Sequence, residues 1–383
     1  MPRNKLFFVW PILLALFLFV LPSCRTVPSA DVTPAGEESF RNTEYFYFLA
    51  QVTDHLSVMK CDTKGTISYA CPDPLCAHDK SCPLCSAASQ LCAGDRYLLF
   101  DSLCGVKPED DPYSLGASAV WIFDLQTQEL SHVFSFDQEQ MGYVSGLQIS
   151  GNQGYISVDS YEMVKDPKTE TEQLQNVGYR LYRFDPAAEK LSLLTDKPTS
   201  GEYTLLEADG ERLYWSYQDP YTSDADELFS TDIYFGQRQS LAQKDRPISS
   251  FPFREDGWYY YMDSEKLWRI NRETEEKQLL QDPAFGFCLA KNRIVYLAEP
   301  RASVLRGMCA DGTEQTVLCD TEGSRIFFLR SRSIGNYVLN DQYVMVTENG
   351  TSLSYLLIDT ETWKWVSIPA FLDQNLQEAE PTA

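Results

Sequence analysis

Histidine is scarce in this chain: three occur in 383 residues. Two of them, His55 and His132, sit in strand-like patterns, so a Ser-His-Asp site has little to draw on. Positive charge is short as well. Thirty-two Lys and Arg stand against 55 Asp and Glu, a net charge of −23. With no basic footprint for phosphates, nucleic acid is excluded as a partner. The acidic surplus also disfavours attraction to an anionic membrane surface. No Gly-rich phosphate loop and no zinc-protease helix are present. No stretch of useful length carries the helical period.

Apolar runs of spanning length are missing too. Residues 6–21 are apolar, but they fall short of the roughly 20 residues a membrane helix needs. Pro11 interrupts them, and proline breaks a regular helix. Arg3 and Lys5 precede the run, which makes residues 1–23 a signal peptide. The run ends at Leu21-Pro22-Ser23-Cys24, which resembles a bacterial lipoprotein signal. Pro22 departs from the small residue usual at its place. The resemblance implies that Cys24 becomes the lipid-modified first residue of the mature protein. Two acyl chains suffice for stable attachment. Residues 24–38, rich in Pro, Ser, Thr and Ala, read as a flexible tether.

Aromatic residues are plentiful, with 22 Tyr and 21 Phe, and favour strands. One stretch, residues 203–217, shows the plan: an apolar strand, an Asp209-Gly210 turn, then a strand carrying Leu213, Trp215 and Tyr217. Turn dipeptides of this kind mark hairpins. The pattern recurs seven times, at Asn42-Thr43, Gly94-Asp95, Gly151-Asn152, Asp209-Gly210, Asp256-Gly257, Lys291-Asn292 and Asn340-Asp341. A second strand–turn–strand pattern follows each, with Asp124, Asp185, Asn271 and Asp359 at matching places. The period of about 50 residues lies in the range of propeller blades. The expected fold is therefore all-β, a single β-propeller over residues 39–371 with seven four-stranded blades, six being the alternative. Residues 38–41 are expected to supply the inner strand of the first blade, with the ring closed by side-chain packing. Residues 372–383 form a polar tail.

Three long second-to-third-strand loops break the pattern on one face: residues 101–118, 160–178 and 217–230. Loops of that length without structure of their own tend to be functional or disordered. They offer Asp110, Asp111, Tyr113, Tyr161, Asp219, Tyr221, Asp224 and Asp226 as a binding rim, or else as solvated acidic surface. Asp224, Asp226 and Glu227 could help hold Ca²⁺, but the Gly-punctuated spacing of a calcium loop is missing.

Cysteine is concentrated in residues 71–85, CPDPLCAHDKSCPLC. Cys71, Cys76, His78 and Cys82 offer three thiolates and an imidazole, a set suited to structural Zn²⁺, and Cys85 could substitute or pair. Exported cysteines also form disulfides, so both readings stand. Cys71, Asp73-Pro74, Cys76, His78 and Cys82-Pro83 resemble the segment of Gram-positive lipid-anchored β-propeller lipoproteins of uncharacterised function. That resemblance implies a fold and a location at the outer face of a bacterial membrane, and no activity.

The function expected from these features is a surface-anchored binding or protein-interaction scaffold, monomeric, with a protein or glycan ligand on the long-loop face. The alternative is an extracytoplasmic carbohydrate-active enzyme, a glycoside hydrolase or lyase. Such an enzyme would need paired carboxylates near the central opening, and among the expected inner strands only Glu207 supplies one. No catalytic residue is assigned.

Overall fold

The computed structural model describes residues 40–104, 119–135, 142–165, 171–197, 202–208, 212–218, 227–242, 253–255, 257–263, 265–271, 273–290, 292–299, 303–320, 325–327, 336–349 and 353–372. These form antiparallel meanders in chain order. Four sheets have four strands each, within residues 142–197, 202–242, 253–281 and 287–320, and a fifth, within residues 325–369, has five. The remaining sheet has eight strands. It contains the first two expected blades, joined by one β-bridge between Leu56 and Ala87. Seven separate blades are therefore not found. Five sheets stand alone, and the single bridge merges the first two meanders into a sixth.

Six of the turns that follow these strands share one device. At Asp124, Asp185, Asn271 and Asp359 the side-chain oxygen accepts the backbone N–H groups two and three residues on. Asp62 and Asp232 accept N–H groups two and four residues on. Short polar side chains that bond their own backbone favour such turns. A residue with positive φ completes the reversal, Gln128 at 61° and Trp363 at 59° among them. The acidic surplus is thus partly structural.

Between neighbouring sheets the apolar faces interlock. Phe46, Phe48 and Met59 of the first meander pack with Met345, Tyr355 and Leu357 of the last sheet. Tyr97, Leu99 and Ile122 pack with Leu147, Ile156 and Val158. Tyr155, Tyr179 and Leu181 pack with Trp215 and Phe229. Strands such as Tyr45–Val52 and Phe287–Ala290 are buried on both faces, so their runs are near-continuously apolar rather than alternating, whereas strands such as Leu130–Phe134 are partly exposed.

Closure departs from expectation. Residues 40–44 form no strand, and Asn42 caps the entry to strand Tyr45–Val52 through Tyr45 N–H and C=O. The strand beside Tyr45–Val52 is instead Phe371–Leu372, parallel to it, with Gln51 opposite Phe371 and Val52 opposite Leu372. The ring is tied by backbone pairing between the two ends of the domain. Tyr355 adds a buried bond, its hydroxyl donating to the Leu49 carbonyl at 2.6 Å.

Candidate metal corner

Residues 70–86 connect the two meanders of the eight-stranded sheet. They hold one short 3₁₀ turn, Pro83–Cys85, so their order comes from side chains. Two aspartates build two like turns. Asp73 Oδ1 accepts Leu75 N–H at 2.8 Å while its carbonyl accepts Cys76 N–H at 3.1 Å. Asp79 Oδ1 accepts Ser81 N–H at 2.9 Å while its carbonyl accepts Cys82 N–H at 3.1 Å. Each turn delivers a cysteine three residues after its aspartate. The buried Leu84 then anchors the segment among Tyr47, Leu49 and Phe100, with Cys85, next in sequence, also buried.

The donors converge. The ligand atoms of Cys71, Cys76 and Cys82 lie within 4.8 Å of one another, and so do those of Cys76, His78 and Cys85. Cys71 Sγ and Cys82 Sγ stand 3.8 Å apart. Cys71, Cys76, Cys82 and Cys85 are not joined by disulfides. A cysteine cluster of this kind can hold a metal ion. The sulfurs also perturb one another. The thiol of Cys85 hydrogen-bonds Cys82 and pulls its pKa down to about 5 against the effect of burial, with help from Cys76 and Cys71. Burial pushes Cys71 up to about 12. Cys85 is pushed up by its bond to Cys82 and by burial.

His78 has an unusual setting. Its φ is 53°, its N–H donates to Cys76 Sγ at 3.3 Å, and its ring meets Tyr69 edge-on with centroids 4.1 Å apart. Its Nδ1 is buried with no hydrogen-bond partner. The His78 carbonyl is held by His55 Nε2 at 3.1 Å. His55 Nδ1 in turn meets Asp54 Oδ1 at 3.1 Å, and Lys80 Nζ reaches Asp54 Oδ2 at 2.7 Å. His55 was missed as part of this corner by sequence reasoning. It does begin a strand as expected, but its ring bonds a residue 23 positions away, for which no local signal exists.

Of the expected rim, Asp110, Asp111, Tyr113, Asp219, Tyr221, Asp224 and Asp226 lie outside the described residues, as does Cys24. Tyr161 is described, and it corrects the reading of residues 160–178 as a loop. It stands in strand Gln153–Lys165 opposite Asn176 of strand Glu172–Asp185, on a long two-stranded ribbon. Glu207 follows a bulge in strand Glu202–Ala208. Asp101, buried, accepts Ser89 N–H at 2.7 Å and Gln90 N–H at 2.6 Å, where strand Ala87–Ala93 bulges away from its partner.

No protein-family model and no curated protein matches the sequence. Solved structures do. A prolyl endopeptidase aligns with a TM-score of 0.56 at 9% identity, over 85% of this chain and 48% of its own. An oligogalacturonate lyase in complex with manganese aligns with a TM-score of 0.54 at 12% identity, over 84% of this chain and 88% of its own. The oligogalacturonate lyase of Vibrio parahaemolyticus gives 0.51 at 12% identity, over the same shares of the two chains. The fold is a β-propeller. At these identities the likeness extends to nothing further, and the chain spans about half the length of the peptidase. Among the described residues no helix is long and apolar enough to cross a membrane.

Proposed function

We propose that the protein is an extracytoplasmic, lipid-anchored propeller of a bacterial membrane that acts as a monomeric binding or protein-interaction scaffold. Cys24 carries the lipid, and a protein or glycan ligand docks on the face of the long connections. The observation behind this reading is where the described carboxylates go. Asp62, Asp124, Asp185, Asp232 and Asp359 close turns, and the buried Asp101 fills the bonding capacity of a bulge. Acids committed to backbone N–H groups are ill placed to serve as a general acid and base. The cysteine corner fits the same reading as a structural zinc site.

The test is to present the purified protein with glycan, peptide and cell-envelope panels. Saturable binding that weakens at least tenfold on substitution of Tyr113, Tyr161 or Tyr221 supports the scaffold. The likeness to the lyases motivates an activity arm with oligogalacturonate. Formation of unsaturated product, lost in Glu207→Gln, would replace the scaffold reading with the enzymatic one.

A further inference from the structure

Resting on the zinc reading of residues 71–85, we propose that one zinc ion is bound by the thiolates of Cys71, Cys76 and Cys82 and by Nδ1 of His78, with His55 positioning His78. The first support is a length. A tetrahedron of Zn–S bonds of about 2.3 Å has an S–S edge of about 3.8 Å, and Cys71 Sγ to Cys82 Sγ is 3.8 Å. A disulfide needs about 2.05 Å. These two sulfurs stand as co-ligands do.

The second support is the orphaned nitrogen. His78 Nδ1 is buried without a partner, and the His78 ring offers a nitrogen within 4.8 Å of the Cys76 and Cys85 sulfurs. A buried polar atom left unpaired is costly. A four-thiolate set drawing on Cys85 would leave that nitrogen unsatisfied, whereas three thiolates and the imidazole use it. Cys85, fully buried, then stays as a thiol beneath the metal.

The third support is the strain and what holds it. A left-handed conformation at a non-glycine residue is strained, and such strain gathers at sites where surrounding bonds enforce it. Here the enforcing group is His55, through the His78 carbonyl, with Tyr69 against the ring. Partners of this kind orient metal ligands from outside the coordination sphere. The placement matters mechanically. His55 neighbours Leu56, whose bridge to Ala87 is the pairing that joins the two meanders. A metal held between residues 71 and 82 would fasten that joint.

The experiment uses the full chain, purified reduced, with elemental analysis and Co²⁺ substitution. One zinc per chain is expected, with a tetrahedral, thiolate-rich Co²⁺ spectrum. Cys71→Ser, Cys76→Ser, Cys82→Ser and His78→Ala should each abolish stoichiometric binding. Cys85→Ser should leave stoichiometry and spectrum unchanged, and His78→Cys should keep the metal with a stronger thiolate band, which guards against simple misfolding. His55→Ala should weaken affinity about 10- to 100-fold with the Co²⁺ spectrum intact. His55→Gln, whose amide can still donate to the carbonyl, should restore most of it. Retained zinc in His78→Ala together with lost zinc in Cys85→Ser would overturn the donor set while leaving a zinc site in place. Disulfides at these cysteines with no zinc would overturn both. Failure of the scaffold reading would show separately, as catalytic turnover.

Discussion

Closing the ring through two residues at the far end of the domain carries a measurable price. Compare a chain that ends at Leu372 with one that ends at Pro369. The shorter chain loses two backbone bonds, Gln51 N–H to the Ala370 carbonyl at 2.8 Å and Thr53 N–H to the Leu372 carbonyl at 3.4 Å. It also loses the buried side chains of Ala370 and Leu372 from the cluster built on Phe46, Phe48 and Met59. The two bonds contribute about 1 kcal/mol each. Burial of Leu372 contributes about 2–3 kcal/mol and the Ala370 methyl about 0.8 kcal/mol. Against this, fixing three residues costs about 1 kcal/mol apiece. The net is about 2–3 kcal/mol of local stability, equivalent to roughly a 30- to 140-fold change in an opening equilibrium. Hydrogen exchange reads it directly. The amides of Gln51 and Thr53 should exchange faster by that factor in the shorter chain, while those of strand Phe287–Ala290, in a different sheet, stay unchanged. Rates within threefold of each other at Gln51 and Thr53 would refute closure by strand pairing.

Asp101→Ala should lower stability by about 2–4 kcal/mol in thermal or denaturant unfolding. It strands the buried Gln90 N–H and frees the part-buried Ser89 N–H, each a loss of about 1–2 kcal/mol. Asp101→Asn, which keeps an acceptor, should cost less, and equal losses would argue against this account. Acid should act through the turns. Burial pushes Asp124 up, but the Arg96 guanidinium and the N–H groups of Gln126 and Thr127 outweigh it, and its pKa falls below the ordinary value. Asp311, held chiefly by Thr313, is also lowered, and Asp359, raised by burial, ends below its usual value through Gln342 and Thr362. A folded-state pKa below the unfolded one contributes stability that is complete above about pH 4 and is lost as pH falls through the depressed values. The unfolding midpoint should therefore hold from pH 7 to 5 and drop below pH 4, less steeply in Asp124→Asn. Parallel curves for the variant and the parent would exclude the Arg96 pair as a contributor.

The sheet repeat was legible because it is written in local signals. Gly94 lies in a reversal closed by its N–H on the Tyr97 carbonyl, and Gly151 and Gly257 supply positive φ at their hairpins, 55° and 76°. Asn42-Thr43 carries the same dipeptide chemistry yet makes no hairpin, since a turn signal says nothing about whether a strand precedes it. The partner of Tyr45–Val52 is two residues long and more than 300 positions away, beyond what any window of sequence can register. Residues 160–178 misled for a different reason. Strand Gln153–Lys165 is buried at its start and exposed at its end, so its outer half has no apolar face to betray the pleat.

The cysteine corner was legible as chemistry but not as geometry. Spacing singled out Cys71, Cys76, His78 and Cys82 as candidate donors, and two aspartate turns place Cys76 and Cys82, each at the fourth residue of its turn. What spacing cannot convey is the claim on His55, Tyr69 and the Leu56–Ala87 bridge, all set by the tertiary fold. That claim also accounts for the segment's order. Some fifteen residues with one 3₁₀ turn and no ladder have few backbone bonds to resist opening, and their apolar anchorage rests largely on Ala70 and Leu84. Two Asp-centred turns add local bonds but do not tie the segment to the sheets. The His55–His78 bond does, and a metal bridging Cys71 to Cys82 would add binding free energy to that tie, because a ligand set assembled only in the folded state makes metal affinity part of folding stability. The propeller's turns and this thiol-rich corner thus face the same problem, holding irregular backbone still, which short polar side chains meet where a strand follows at once and which a metal on the sulfurs and imidazole would meet where none does.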